Sequence, residues 1–189
     1  MSYKELKFQI TGVAPLILHN GQTADPLNPF SKSIAEITGK RKKTDADHRE
    51  VARREWFAGL YLANGEPCVP FQMMEASLIE GAKKHKRGPA AKAGIIVEAH
   101  TPLLYDGPRK PEELWEDERF RIRVSAKVGT SRVMRTRPFF AVWSLEPVVK
   151  YLPDLLNGAE VEAFVAAIGL QIGLGDWRPR FGRFTSVMV

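Results

Sequence analysis

The stretch Arg119–Val128, RFRIRVSAKV, decides the fold. Phe120, Ile122, Val124, Ala126 and Val128 alternate with Arg119, Arg121, Arg123, Ser125 and Lys127. Successive side chains of a strand point to opposite faces, so this period of two predicts a strand with one face in the core and a cationic face outside. Downstream, Arg132-Val133-Met134-Arg135-Thr136-Arg137-Pro138 connects it to a second long strand, expected over residues 139–151. Upstream, Glu112–Glu118 carries five acids in seven residues, so the rest of the chain is more basic than the formal charge of +6.

The ends of the chain supply further strands. Leu6, Phe8 and Ile10 alternate over residues 4–11, and a last strand is expected over 184–189. Between them the apolar period lengthens to that of helices. One is expected near 47–62, opened by Thr44 and Asp47 as a capping box, with Val51, Phe57, Leu60 and Tyr61 facing inward. A second, near 71–86, carries Met74, Leu78 and Ala82 on one stripe. A third, near 158–169, is capped by Asn157 with Glu160 in the reciprocal position. Residues 21–47, with Pro26, Pro29, Gly39 and a basic run, read as a long exposed loop. The expected fold class is α+β: one domain over residues 1–189, an antiparallel sheet of four or five strands with helices packed on one face, and a basic insertion around 21–47.

Composition narrows the functional classes. The 189 residues are 44% hydrophobic and 26% charged, which suffices for one core without disulfides. The single cysteine, Cys68, excludes an intramolecular disulfide and gives no support to an oxidising compartment. No run approaches the ~18 apolar residues of a membrane span, and the opening MSYKELKFQITG has no signal-peptide pattern, so a cytoplasmic location is expected. His19, His48, His85 and His100 share no ligand spacing, and no phosphate-loop, zinc-protease or serine-hydrolase motif occurs. No metal, cofactor or catalytic group is expected.

The cations are better organised. Lys40, Arg41, Lys42 and Lys43 form one cluster, and Lys83, Lys84, Lys86 and Arg87 a second. Arg132, Arg135 and Arg137 belong to a third that begins at Arg119. Arg178, Arg180 and Arg183 form a fourth, interleaved with Trp177 and Phe181 and supported by Gly173, Gly175 and Gly182. A phosphate backbone is held by distributed lysines and arginines, and unpaired bases stack on aromatic rings. A single basic cluster is ordinarily a solvated face. Four of them, with aromatics beside two, predict non-catalytic binding of single-stranded RNA or DNA.

Three segments resemble the RAMP superfamily, RRM-like proteins that include backbone subunits of CRISPR effector complexes. They are ITGVAPLILHNG (10–21), CVPFQMMEASLIEGAKKH (68–85) and IGLGDWRPRFGRF (172–184). The chain is similar also to phage proteins. The resemblance implies an RRM/ferredoxin-like sheet and insertions that bind a guide RNA, with copies side by side along the strand as a homo-oligomer or within a nucleoprotein complex. It would place Lys40–Lys43 in an insertion and Arg178, Arg180 and Arg183 in the glycine-rich loop. It also raises two alternatives. One is a metal-independent endoribonuclease using His19, which follows the first strand. The other is a phage protein that binds a host nucleoprotein complex.

Overall fold

The computed structural model describes residues 2–189. In chain order its strands are β1 (Lys4–Gly12), β2 (Leu16–Ile17), β3 (Leu62–Ala63), β4 (Glu66–Val69), β5 (Ile95–Ile96), β6 (Thr101–Pro102), β7 (Arg121–Val128), β8 (Ser131–Phe140), β9 (Ser144–Leu145), β10 (Val148–Tyr151) and β11 (Phe184–Met188). Its helices are α1 (Pro29–Thr38), α2 (Asp45–Gly59), α3 (Phe71–Lys84), α4 (Gly88–Gly94), α5 (Pro111–Glu116) and α6 (Gly158–Ala167).

Alternation in β1 buries Phe8 and Ile10 and leaves Lys7 and Gln9 exposed. The buried pair joins Met74 and Leu78 of α3 and Val161, Phe164 and Val165 of α6 in one core. The main sheet runs β11-β1-β10-β5, with every neighbour antiparallel. Setting the insertions aside, the chain passes β1-α3-β5-β10-α6-β11, which is the βαββαβ order of a ferredoxin-like domain. The two long core helices approach closely at Gly81, where a Cβ would lie 2.5 Å from the Phe164 carbonyl oxygen. The capping boxes of α2 (Thr44, Asp47) and α6 (Asn157, Glu160) both form. No helix among the described residues is long and apolar enough to cross a membrane.

Three expectations need correction. Residues 119–128 do not enter the main sheet. A 3-10 turn takes Glu118–Phe120, and β7 pairs with β8 in a hairpin that joins β2 as a separate three-stranded sheet. Ile122, Val124 and Ala126 are accordingly only half-buried, and the side chain of Val128 lies outside the described residues. Residues 139–151 are not one strand. Phe139 and Phe140 finish the hairpin, and Pro147, which has no N–H for a ladder, separates β9 from β10 where both pair with β1. Finally, 21–47 is not a long basic loop. Asn28 caps α1 with Pro29 in its first turn, and Phe30, Ile34 and Ile37 turn towards α2 at helical spacing.

Candidate nucleic-acid interface

The C-terminal loop is built against the segment that follows β1. Asp176 N–H donates to the Ile17 carbonyl at 2.8 Å, Gly182 N–H to Pro15 at 2.8 Å, and Val13 N–H to Arg183 at 2.8 Å. Gly175 makes the approach possible: at φ +77° its Cβ would sit 2.2 Å from the Ile17 oxygen. The residue between this glycine and Trp177 is thereby carried to His19, whose Nδ1 lies 3.5 Å from Asp176 Oδ2.

From Asp176 a chain of charged groups runs beneath the hairpin. Arg137 Nε is 3.7 Å from the same carboxylate oxygen, and its side chain is only 11% exposed. Glu55 of α2, 7% exposed, accepts from Thr136 N–H at 3.1 Å and pairs with Arg135. The hydrogen bond to His19 holds the Asp176 carboxyl below its ordinary value, assisted by the Trp177 N–H and by Arg137, against the opposing effect of burial. Burial lowers the Arg137 pKa, with Glu55 and Asp176 pulling the other way.

Two hollows meet at His19. One, of about 440 Å³, lies between α1 and the hairpin and is lined by Glu55, Arg135 and Arg137. The other, of about 620 Å³, lies between α3, strands β3 and β4 and the C-terminal loop, and includes Tyr61, Ser77, His100, Asp176 and Arg178. Tyr61 donates its hydroxyl to the His19 carbonyl at 3.0 Å, and burial raises its pKa. Cys68, also on this wall, has its thiol pushed up to about 11 by burial, which makes it a poor nucleophile. No protein-family model and no curated protein matches the chain. What the surface can do must be read from its own residues.

The cationic clusters divide between free and engaged groups. Arg178 and Arg180 are exposed and make no ion pair among the described residues, whereas Arg183 Nε donates to the Pro179 carbonyl at 2.8 Å and braces the loop. Trp177 and Phe181 are half-buried, with ring centroids 6.1 Å apart. Arg132 is exposed near the hairpin tip, while Arg135 and Arg137 line the α1 hollow in ion pairs. Lys84 and Lys86 are exposed, but Lys83 pairs with Glu80, and Arg87 is held by Glu160 at 2.7 Å and the Leu155 carbonyl at 2.6 Å. Lys40 pairs with Asp47, and Lys43 donates to the Lys40 carbonyl, leaving Arg41 and Lys42 exposed without ion pairs among the described residues.

The third and fourth clusters therefore meet through the hollows at His19, and Arg178 lies close enough to Glu80 to help lower that carboxyl's pKa. Among the described residues, none of Lys40–Lys43 lines either hollow. Four arginines gather in a third hollow of about 740 Å³: Arg49 and Arg53 from α2, and Arg121 and Arg123 from the third cluster on β7, beside Trp115. The Arg121 guanidinium lies over the Trp115 ring, 4.6 Å from its centroid. The alternation in β7 contained the signal for Arg121 and Arg123. Their meeting with α2 depends on the hairpin's docking.

Proposed function

We propose that the protein binds single-stranded nucleic acid without cleaving it, in the groove where the two hollows meet. The observation that supports this most is the convergence at His19 of Arg135 and Arg137 from the hairpin with Arg178 from the C-terminal loop. Arg132 and Arg180, which make no ion pair among the described residues, supply further positive charge nearby in sequence. The exposed Arg178 guanidinium and the half-buried Tyr61 ring in the groove, with Trp177 and Phe181 on the adjoining loop, suit a flexible phosphate backbone with accessible bases. The RAMP resemblance weights the reading towards RNA, with several copies side by side on one strand. The test is binding of a fluorescent RNA 20-mer, single-stranded and duplex, across a salt series. Preference for the single strand, with affinity falling linearly in a log–log plot against salt, is expected. Absence of binding at low salt, or affinity indifferent to salt, overturns the proposal.

A second reading is favoured by one contact. Asp176 lies against His19 Nδ1, and Nε2 has no hydrogen-bond partner among the described residues, as in a histidine oriented for general base work. RNA cleavage that persists in chelator and disappears in His19→Ala would replace non-catalytic binding with metal-independent cleavage. Intact RNA after prolonged incubation removes the second reading.

A further inference from the structure

The hollow of about 620 Å³ has features that backbone binding does not use. Ser77 of α3 lines it, is fully buried, and its Oγ has no hydrogen-bond partner. A hydroxyl taken from water and left unpaired is costly, and buried polar groups are nearly always satisfied. A ligand in the hollow would satisfy this one. Around Ser77 the wall is mixed. Leu62 and Met73 present apolar surface on which a flat ring can rest, over the buried Pro70. Gln72 is exposed, and its amide has no hydrogen-bond partner among the described residues, so it offers a donor and an acceptor together. His100 accepts from Phe71 N–H through Nδ1 at 3.3 Å, so its neutral form carries the proton on Nε2 as a donor. Arg178 stands at the same hollow and makes no ion pair among the described residues.

An apolar slab, a hydroxyl and an amide that can read a base edge, and a guanidinium that can hold a phosphate make up the chemistry of one nucleotide. The volume lies within the range of small-molecule sites. We propose that this hollow is a base-reading pocket for a single nucleotide unit, with the base against Met73 and Leu62, its edge at Ser77 and Gln72, and its phosphate on Arg178. This deepens the strand-binding reading and rests on it for the source of the nucleotide. A free nucleoside monophosphate offers the same chemistry.

The test uses the full chain and two kinds of probe: 12-mers of oligo(A), oligo(C) and oligo(U), and the four nucleoside 5′-monophosphates. Two variants accompany it. Ser77→Ala removes the unpaired hydroxyl, and Ala76→Phe fills the hollow from an exposed position on α3. Unequal affinities for the three oligomers are expected. Ser77→Ala should lower the best of them by up to about tenfold, the loss of one hydrogen bond. Ala76→Phe should erase the differences while leaving the salt slope intact. Monophosphates that bind in the same base order while no oligomer binds would keep the pocket, assign it to free nucleotides and remove the strand reading. Oligomers that bind equally well, or whose differences survive both variants, overturn the pocket and leave strand binding standing. Failure of both probe types overturns both.

Discussion

Gly182→Ala is expected to cost about 4 kcal/mol or more of stability and to release the C-terminal loop. Gly182 sits at φ +72°, where an L side chain costs roughly 1–2 kcal/mol. The added Cβ would also fall 1.8 Å from the Leu174 carbonyl oxygen and 2.6 Å from its nitrogen. These are backbone atoms, so no rotamer change relieves the overlap. The chain must move, and Leu174 N–H to Gly182 O (2.9 Å) and Gly182 N–H to Pro15 O (2.8 Å) are lost with it, each worth about 1 kcal/mol. Gly65→Ala is the control. Its φ is +81°, but nothing lies within 4 Å of the new Cβ, so only the backbone cost of roughly 1–2 kcal/mol applies. Urea denaturation of both variants distinguishes the contributions. Equal losses in the two would mean that the loop is not clamped in this way.

The second large effect is expected at Glu55. This carboxylate is the acceptor for the buried Thr136 N–H and the counter-ion of Arg135, so it fastens the hairpin to α2. Glu55→Ala leaves a buried amide unpaired and removes negative charge beside Arg135 and Arg137. Breaking one partner of a buried pair costs about 3–5 kcal/mol, and the lower end applies because Arg135 remains partly solvated. Glu55→Gln keeps an acceptor for Thr136 and should recover part of the loss. Protection of the hairpin amides in hydrogen exchange should fall before that of β1. A Glu55→Ala protein as stable as the parent would show that the hairpin is held by apolar contacts alone.

The parts of the fold that could be read in the sequence are those set by local periodicity and caps. Leu6, Phe8 and Ile10 mark β1, and Asn157 with Glu160 marks α6, because each signal is complete within a few residues. The hairpin could be seen only in half. Arg132-Val133-Met134-Arg135 lacks the clean alternation of β7, since β8 carries a buried threonine and two arginines whose acidic partners come from elsewhere. Pairing choice was invisible too: β7 has the most regular pattern in the chain yet lies outside the main sheet, where half-burial suffices. In α1, Asn28-Pro29 was a start signal obscured by the surrounding prolines and basic residues. The candidate interface was legible as an excess of cations but not as a place. His19, Glu55, Arg137 and Asp176 sit on four separate segments, and no spacing in the sequence could announce their meeting or show that Arg135 and Arg137 are engaged while Arg178 and Arg180 are free.

The salt dependence of single-stranded RNA binding by the Arg178→Ala/Arg180→Ala double variant, compared with the parent, tests the groove most directly. Both side chains are exposed and unpaired among the described residues, so the variant should fold with nearly unchanged stability. If each arginine neutralises one phosphate, the log–log slope should become shallower by about 1.4, at about 0.7 per contact on a single strand, and affinity at low salt should fall. A folded variant with the parent's slope and affinity would contradict a strand path through the C-terminal loop.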